Sequence, residues 1–312
     1  MFFDHNIPNM LFKEFRFTTK LFLSILMILV AVGCHQKVDW TPPNFEQKPV
    51  VNALIKSGST ISVKVSLAVA FNAQTTPEVD NAEVLLFVDN EYAETLDYID
   101  DGFYQSELIA QEGSEYRCEV TIPGYPTATC FTSIPIHQNI IKFEHINKAG
   151  VDEEGVTYPA VKLTFDNVSD RVIYYEVVIL LVDRDYIRRA VLIDVIDPVL
   201  LNEGLPIAVF SNELIEDSTY TMIINYTTGQ ASSSNNSGWV TTLYPVQVEL
   251  RTVCYNYYKF IKQQYLYELS NDEPFLSVGA TSSYNLHSNV ENGYGIFAGY
   301  SSVISGNIDP NN

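Results

Sequence analysis

Residues 60–67, TISVKVSL, alternate strictly: Ile61, Val63, Val65 and Leu67 fall on one side, Ser62, Lys64 and Ser66 on the other. Side chains of an extended strand point to opposite faces in turn, whereas a helix groups them at every third or fourth position. The segment therefore buries its apolar set as a strand with one face covered. The pattern recurs at short intervals with turn chemistry between. NAEVLLFVDNEYAETL reverses at Asp89-Asn90, the following strand at Asp101-Gly102, and SEYRCEVTIPGYPTATCFTSIP at Pro123-Gly124. Asx and glycine residues tolerate the backbone that tight hairpins need. Strands at this spacing predict an immunoglobulin-like or prealbumin-like β-sandwich over residues 48–136.

The β pattern continues through 137–312. AVKLTFDNVSDRVIYYEVVILLVDRDY reads as two strands around a turn at Asn167–Asp170, and Val172–Val182 is apolar on both faces, as in a strand covered on both sides. QASSSNNSG, residues 230–238, has the composition of a surface loop, and WVTTLYPVQVELRTV alternates again. One segment differs. VCYNYYKFIKQQYLYEL, residues 253–269, places Cys254, Tyr258, Ile261, Tyr265 and Leu269 near helical spacing and lacks Gly and Pro. It predicts an amphipathic helix on the second sandwich, its tyrosines serving as core more readily than as a sugar-stacking platform. The expected architecture is mainly β: two tandem sandwich domains, 48–136 and 137–312, with one helix near the C-terminus.

The N-terminus reads as an address. Lys13, Arg16 and Lys20 precede Leu21–Val32, a run that is apolar but for Ser24, too short to span a bilayer and of signal-peptide length. It ends in Ala31-Val32-Gly33-Cys34, small residues before a cysteine, as in a bacterial lipobox. Residues 1–33 are thus expected to be a lipoprotein signal peptide, with Met10 an alternative start, and Cys34 the lipidated residue. Each buried methylene of its acyl chains would contribute about 0.8 kcal/mol to anchoring. Residues 34–47, polar and containing Pro42-Pro43, read as a tether. The expected location is the outer membrane, facing periplasm or medium.

The chemistry is sparse. The net charge of -20 opposes nucleic-acid binding. No GxSxG, HExxH or GxxxxGK[ST] motif occurs, and the five histidines lack helical metal-ligand spacing. The expectation is a non-enzymatic protein without metal or cofactor. Asp152, Glu153, Glu154 and the Asp183-Arg184-Asp185 run lack calcium-loop spacing and read as solvated turns. A hydrolase would instead need converging carboxylates, or a serine beside His145 or His287. Cys118 and Cys130 lie equidistant from Gly124 and face one another in a simple hairpin; a disulfide and two unbonded core thiols are both compatible with that placement. Gly293, Gly295 and Gly299 miss the dinucleotide spacing and have no helix after them, so they read as close packing or a bulge in a C-terminal strand.

The order of VVNALI, NAEVLLFVD, DGFYQS, SEYRCEV, PGYPTATCFTSIP, AVKLTFDN, YYEVVIL, YNYYKFIKQQY and SNVENGYGIFAGYSS resembles a family of Bacteroidetes cell-envelope lipoproteins known as a domain of unknown function. Genes of that family often neighbour TonB-dependent outer-membrane receptors. The resemblance implies an accessory binding role beside such a receptor in nutrient uptake, and it brings no residue roles with it. A surface adhesin or glycan-binding lipoprotein without a transporter is the alternative, and an envelope hydrolase ranks below both.

Overall fold

The computed structural model describes residues 46–70, 73, 75–182, 186–234, 238–271 and 284–310. The signal peptide, Cys34 and almost all of the tether lie outside them. The first strands are β1 (Pro49–Lys56), β2 (Thr60–Leu67), β3 (Glu83–Val88), β4 (Glu91–Thr95), β5 (Asp97–Tyr98), β6 (Phe103–Ile109), β7 (Glu115–Thr121) and β8 (Ala128–Ser133). There follow β9 (Ile140–Val151), β10 (Val156–Asp166), β11 (Tyr174–Val182), β12 (Ile187–Arg189), β13 (Val191–Leu192) and a short helix α1 (Pro198–Asn202). Next come β14 (Val209–Ser211), β15 (Thr219–Thr227), β16 (Ala231–Ser234), β17 (Gly238–Thr241) and β18 (Val246–Val253). Helix α2 (Tyr255–Asn271), β19 (Val290–Glu291) and β20 (Phe297–Ile304) close the chain.

The protein is mainly β, and three sheets enclose two apolar cores. A nine-stranded sheet runs β12-β11-β18-β20-β1-β2-β6-β5, with β14 also on β11. A five-stranded sheet, β19-β8-β7-β3-β4, lies over one end of it, and a six-stranded sheet, β13-β15-β10-β17-β16 with β9 on β10, over the other. The first core joins Val51, Ile55, Ile61 and Val63 to Val84, Leu86, Cys118 and Val120. The second joins Tyr175, Val177, Val248 and Leu250 to Leu163, Phe165, Met222 and Tyr226. Each is a sandwich by construction, since alternation presents one apolar face per sheet.

The two sandwiches share a sheet because β20 pairs parallel with β1, Ala53 opposite Phe297, and antiparallel with β18, Thr252 opposite Ser301. β19 also returns to the first sandwich, with Val290 opposite Cys130. Residues 290–304 thus build both halves. The glycines ahead of and within β20 permit this closure. A Cβ on Gly295, which has φ +116, would stand 2.0 Å from the Val51 carbonyl oxygen. One on Gly299 would stand 2.5 Å from that of Ser133.

Strands β10 and β11 flank the anticipated turn but enter different sheets. Buried asparagines hold the connection: Asn212 Nδ2 donates to the carbonyls of Val168 (2.8 Å) and Arg171 (3.0 Å) and to Asn167 Oδ1 (3.0 Å). Strand β11 is covered on both sides, by the second core on one and by α2 through Tyr174, Tyr257 and Tyr258 on the other. The serine-rich segment corrects an expectation. Ala231–Ser234 forms β16 and pairs antiparallel with β17 instead of looping. An edge strand needs only backbone partners on one side, so polar side chains do not exclude it.

Candidate binding groove

Two adjoining cavities, of about 300 and 410 Å³, open where the sandwiches meet. Both are lined by Glu115, Ser133, Cys254 and Tyr255. The first adds Asn90, Arg117, Phe131 and Asn256, the second Ile134, Arg171, Tyr174 and Thr252. The walls are therefore the start of β7, the end of β8, the crossing segment after it, and the junction of β18 with α2.

Strand alternation sets the first wall. Ala128, Cys130 and Thr132 of β8 turn inward, which leaves Phe131 outside and 53% exposed. Register places Tyr92 opposite Phe87, Phe87 opposite Arg117, and Arg117 opposite Phe131, so four side chains cross β4, β3, β7 and β8 in one transverse row. The Arg117 guanidinium lies 3.5 Å from the Phe87 ring centre and pairs with Glu119. Tyr92 meets the Phe87 ring edge-on at 5.9 Å.

The second wall is the start of α2. Cys254 precedes the helix, and its carbonyl accepts the Tyr258 N–H at 3.1 Å. Its sulfur accepts from the Gly299 N–H at 3.3 Å and the Thr132 hydroxyl at 3.4 Å, which ties α2, β20 and β8 together beneath the groove. Tyr255 is 51% exposed, with Tyr174 at 5.4 Å and Lys259 5.9 Å from its ring centre. Thr252 and Ser301, paired in register, carry buried hydroxyls without hydrogen-bond partners.

Buried charges fix α2 to the sheet. Arg251 donates to Glu176 Oε2 at 2.7 Å and to Glu249 Oε2 at 2.6 and 3.0 Å, and the Tyr257 hydroxyl donates to Glu176 at 2.7 Å. Burial alone would raise the Glu249 carboxyl; the Arg251 guanidinium and Lys56 outweigh it and hold the group below the usual carboxylate range. Burial and then Glu176 push the Tyr257 hydroxyl upward. On the same helix, Tyr258 and Lys262, one turn apart, both donate to Glu203, at 2.5 Å and 2.7 Å. Burial and this carboxylate push Tyr258 up to about 12. The tyrosines of the helix are thus partly core, as anticipated, while Tyr255 faces the groove.

The residues singled out from the sequence scatter. Cys118 and Cys130 do face one another across β7 and β8, as fully buried, unbonded thiols, with Cys130 Sγ 3.6 Å from the Cys118 carbonyl oxygen. Their proximity, followed by burial, pushes the Cys130 thiol well up. His145 bonds Tyr226 OH at 2.8 Å and Asn147 at 2.7 Å, and His287 bonds Asn256 at 3.0 Å. Asp152 Oδ1 accepts the N–H groups of Glu154 and Val156 and serves a turn. Asp183 and Asp185 lie outside the described residues. Neither Phe131 nor Tyr255 was marked by motif; the one legible signal was Phe131, an aromatic on the polar side of an alternating strand.

The chain enters the fold at the other end of the first sandwich. Tyr125, beside the β7–β8 turn, donates to Gln47 Oε1 at 2.7 Å, and the Tyr294 N–H donates to the Pro49 carbonyl at 2.9 Å. The groove lies at the opposite ends of β7 and β8. Seven residues of extended strand separate the two places by roughly 20 Å.

Among solved structures, a protein of Corynebacterium diphtheriae described as membrane-anchored aligns with 69% of this chain and 56% of its own length, at 8% identity and a TM-score of 0.21. The chain thus spans little more than half of that protein. No curated protein matches the sequence significantly. The family model described as "Domain of unknown function (DUF4249)" matches residues 36–304, nearly all of the sequence after Cys34, and the chain belongs to that family.

Proposed function

We propose that this protein is a tethered binding module of the cell envelope, held at the outer membrane by lipid on Cys34 and retaining a ligand for a TonB-dependent transporter in nutrient uptake. The position of the groove carries the reading. It is built by both sandwiches, at the end of the first sandwich opposite to residues 46–49, where the described chain enters the fold. The two cavities fall in the range of ligand sites, about 300–1,000 Å³. Their walls are pre-arranged by the row on β3, β7 and β8 and by the Tyr174–Tyr255 contact, which limits the entropy lost on binding.

The test is purification of the Cys34-anchored protein from native membranes in mild detergent, with mass spectrometry of its companions. A TonB-dependent receptor in near-equal amount is expected. A lipidated protein recovered alone contradicts the transporter role and favours a glycan-binding surface lipoprotein, a reading to which the exposed rings of Phe131 and Tyr255 also lend weight.

A further inference from the structure

We infer that the groove takes an uncharged carbohydrate chain, with Phe131 and Tyr255 as its stacking rings. This rests on the groove being the binding site, and it names the ligand class. The argument begins with charge. The molecule carries -20 overall, yet the groove lining holds Glu115 against Arg117 and Arg171, and Arg117 is matched by Glu119. This lining is close to neutral. A polyanion would meet the repulsion of the whole surface, and a polycation would find no carboxylate surplus within the groove.

An uncharged ligand can be apolar or polar, and the lining decides between them. Asn90 and Asn256 bring amides, and Ser133 brings a hydroxyl. A wholly apolar ligand would cover these groups without replacing the hydrogen bonds of their water, which disfavours it. Beside them stand two half-exposed aromatic rings, one from each sandwich. Sugar rings present both surfaces at once: C–H faces that lie on the electron-rich face of an aromatic ring, and hydroxyls that donate to and accept from amides. The outline points to a chain. The cavities share four lining residues and extend from Phe131 past Tyr255 to Tyr174, longer than one ring requires.

The experiment uses the mature full-length protein. It is screened against neutral hexasaccharides of glucose, xylose and mannose, sulfated and uronic-acid chains, and extended decapeptides, and binding is quantified by calorimetry. At least one neutral hexasaccharide is expected to bind, with no acidic chain bound. Phe131→Ala and Tyr255→Ala should each weaken that binding about tenfold. Tyr255→Phe, which keeps the ring, should stay within about twofold, as should Trp239→Ala at an exposed site on β17. Unchanged melting of all four variants shows that they fold. Binding of peptides only, no neutral chain bound, or a neutral chain bound by both alanine variants as tightly as by the wild type overturns the inference. Receptor recovery reads the transporter role separately. A receptor without a bound glycan removes the ligand class alone, and a bound glycan without a receptor removes the transporter alone.

Discussion

Arg251→Met isolates the buried charge cluster beneath α2. The substitution keeps the aliphatic stem and removes the guanidinium, deleting three hydrogen bonds of 2.6–3.0 Å to Glu176 and Glu249. The side chains of these glutamates are 7% and 5% exposed, so two carboxylates would be left in a poorly solvated site. Removing one partner of a buried ion pair generally costs about 3–5 kcal/mol. Arg189 lies 3.6 Å from Glu176 and Lys56 lies 3.6 Å from Glu249, but their side chains are 57% and 39% exposed and compensate only in part. The expected loss at pH 7 is therefore about 3 kcal/mol, the lower end of that range. With an unfolding entropy of about 2.1 cal/mol/K per residue, it corresponds to roughly 5 °C in Tm for a chain of 312 residues. The pH dependence supplies the stricter check. The Glu249 carboxyl is held below its ordinary 4.5 in the folded protein, so its contribution is present above that value and fades as pH falls through the folded pKa. Without Arg251, burial acts on Glu249 opposed only in part by Lys56 and favours its neutral form. The difference between wild type and variant must then shrink as pH falls below about 4.5. Urea denaturation at pH 7 and pH 4 measures it. A loss under about 1 kcal/mol at pH 7, or an equal loss at both values, refutes the reasoning.

Three further outcomes follow from the packing. Gly295→Ala places a Cβ 2.0 Å from the Val51 carbonyl at φ +116 and should lower stability by at least about 2 kcal/mol in urea titration; a neutral result would mean that β20 does not close against β1 as described. Phe165→Ala removes a fully buried ring packed against Tyr175, Phe210 and Tyr220, with an expected loss of about 3–5 kcal/mol by the same assay. Cys118 and Cys130 should resist maleimide in the native protein and both label after unfolding without reductant, whereas labelling that requires reductant would show a disulfide.

Local features were legible because they depend on local physics. Ile61, Val63 and Val65 are buried as their alternation requires, and Asp89, Asn90 and Asp101 adopt the positive φ that their turns demand. The helix anticipated over residues 253–269 forms from Tyr255 to Asn271, and Cys254 just ahead of it links it to β8 and β20. The shared sheet was not legible. Its decisive pairing joins Ala53 to Phe297, and no periodicity encodes a partner more than two hundred residues away. The groove was hidden for the same reason, since its walls come from residues 90, 113–117, 131–136, 171–174 and 252–256. A trace was present in single exceptions to pattern. Phe131 is an aromatic on a polar face, and Glu176 is a carboxylate within an apolar run whose compensating Arg251 lies on the neighbouring strand. The Ser-rich β16 misled because composition reports side chains, whereas an edge strand is held by its backbone.

The central claim is that the groove is where this protein meets its ligand. A photoreactive phenylalanine at position 131, compared with one at position 239 in living cells, tests it most directly. The account predicts adducts from position 131 and none from position 239. No adduct from position 131, or equal adducts from both, contradicts it.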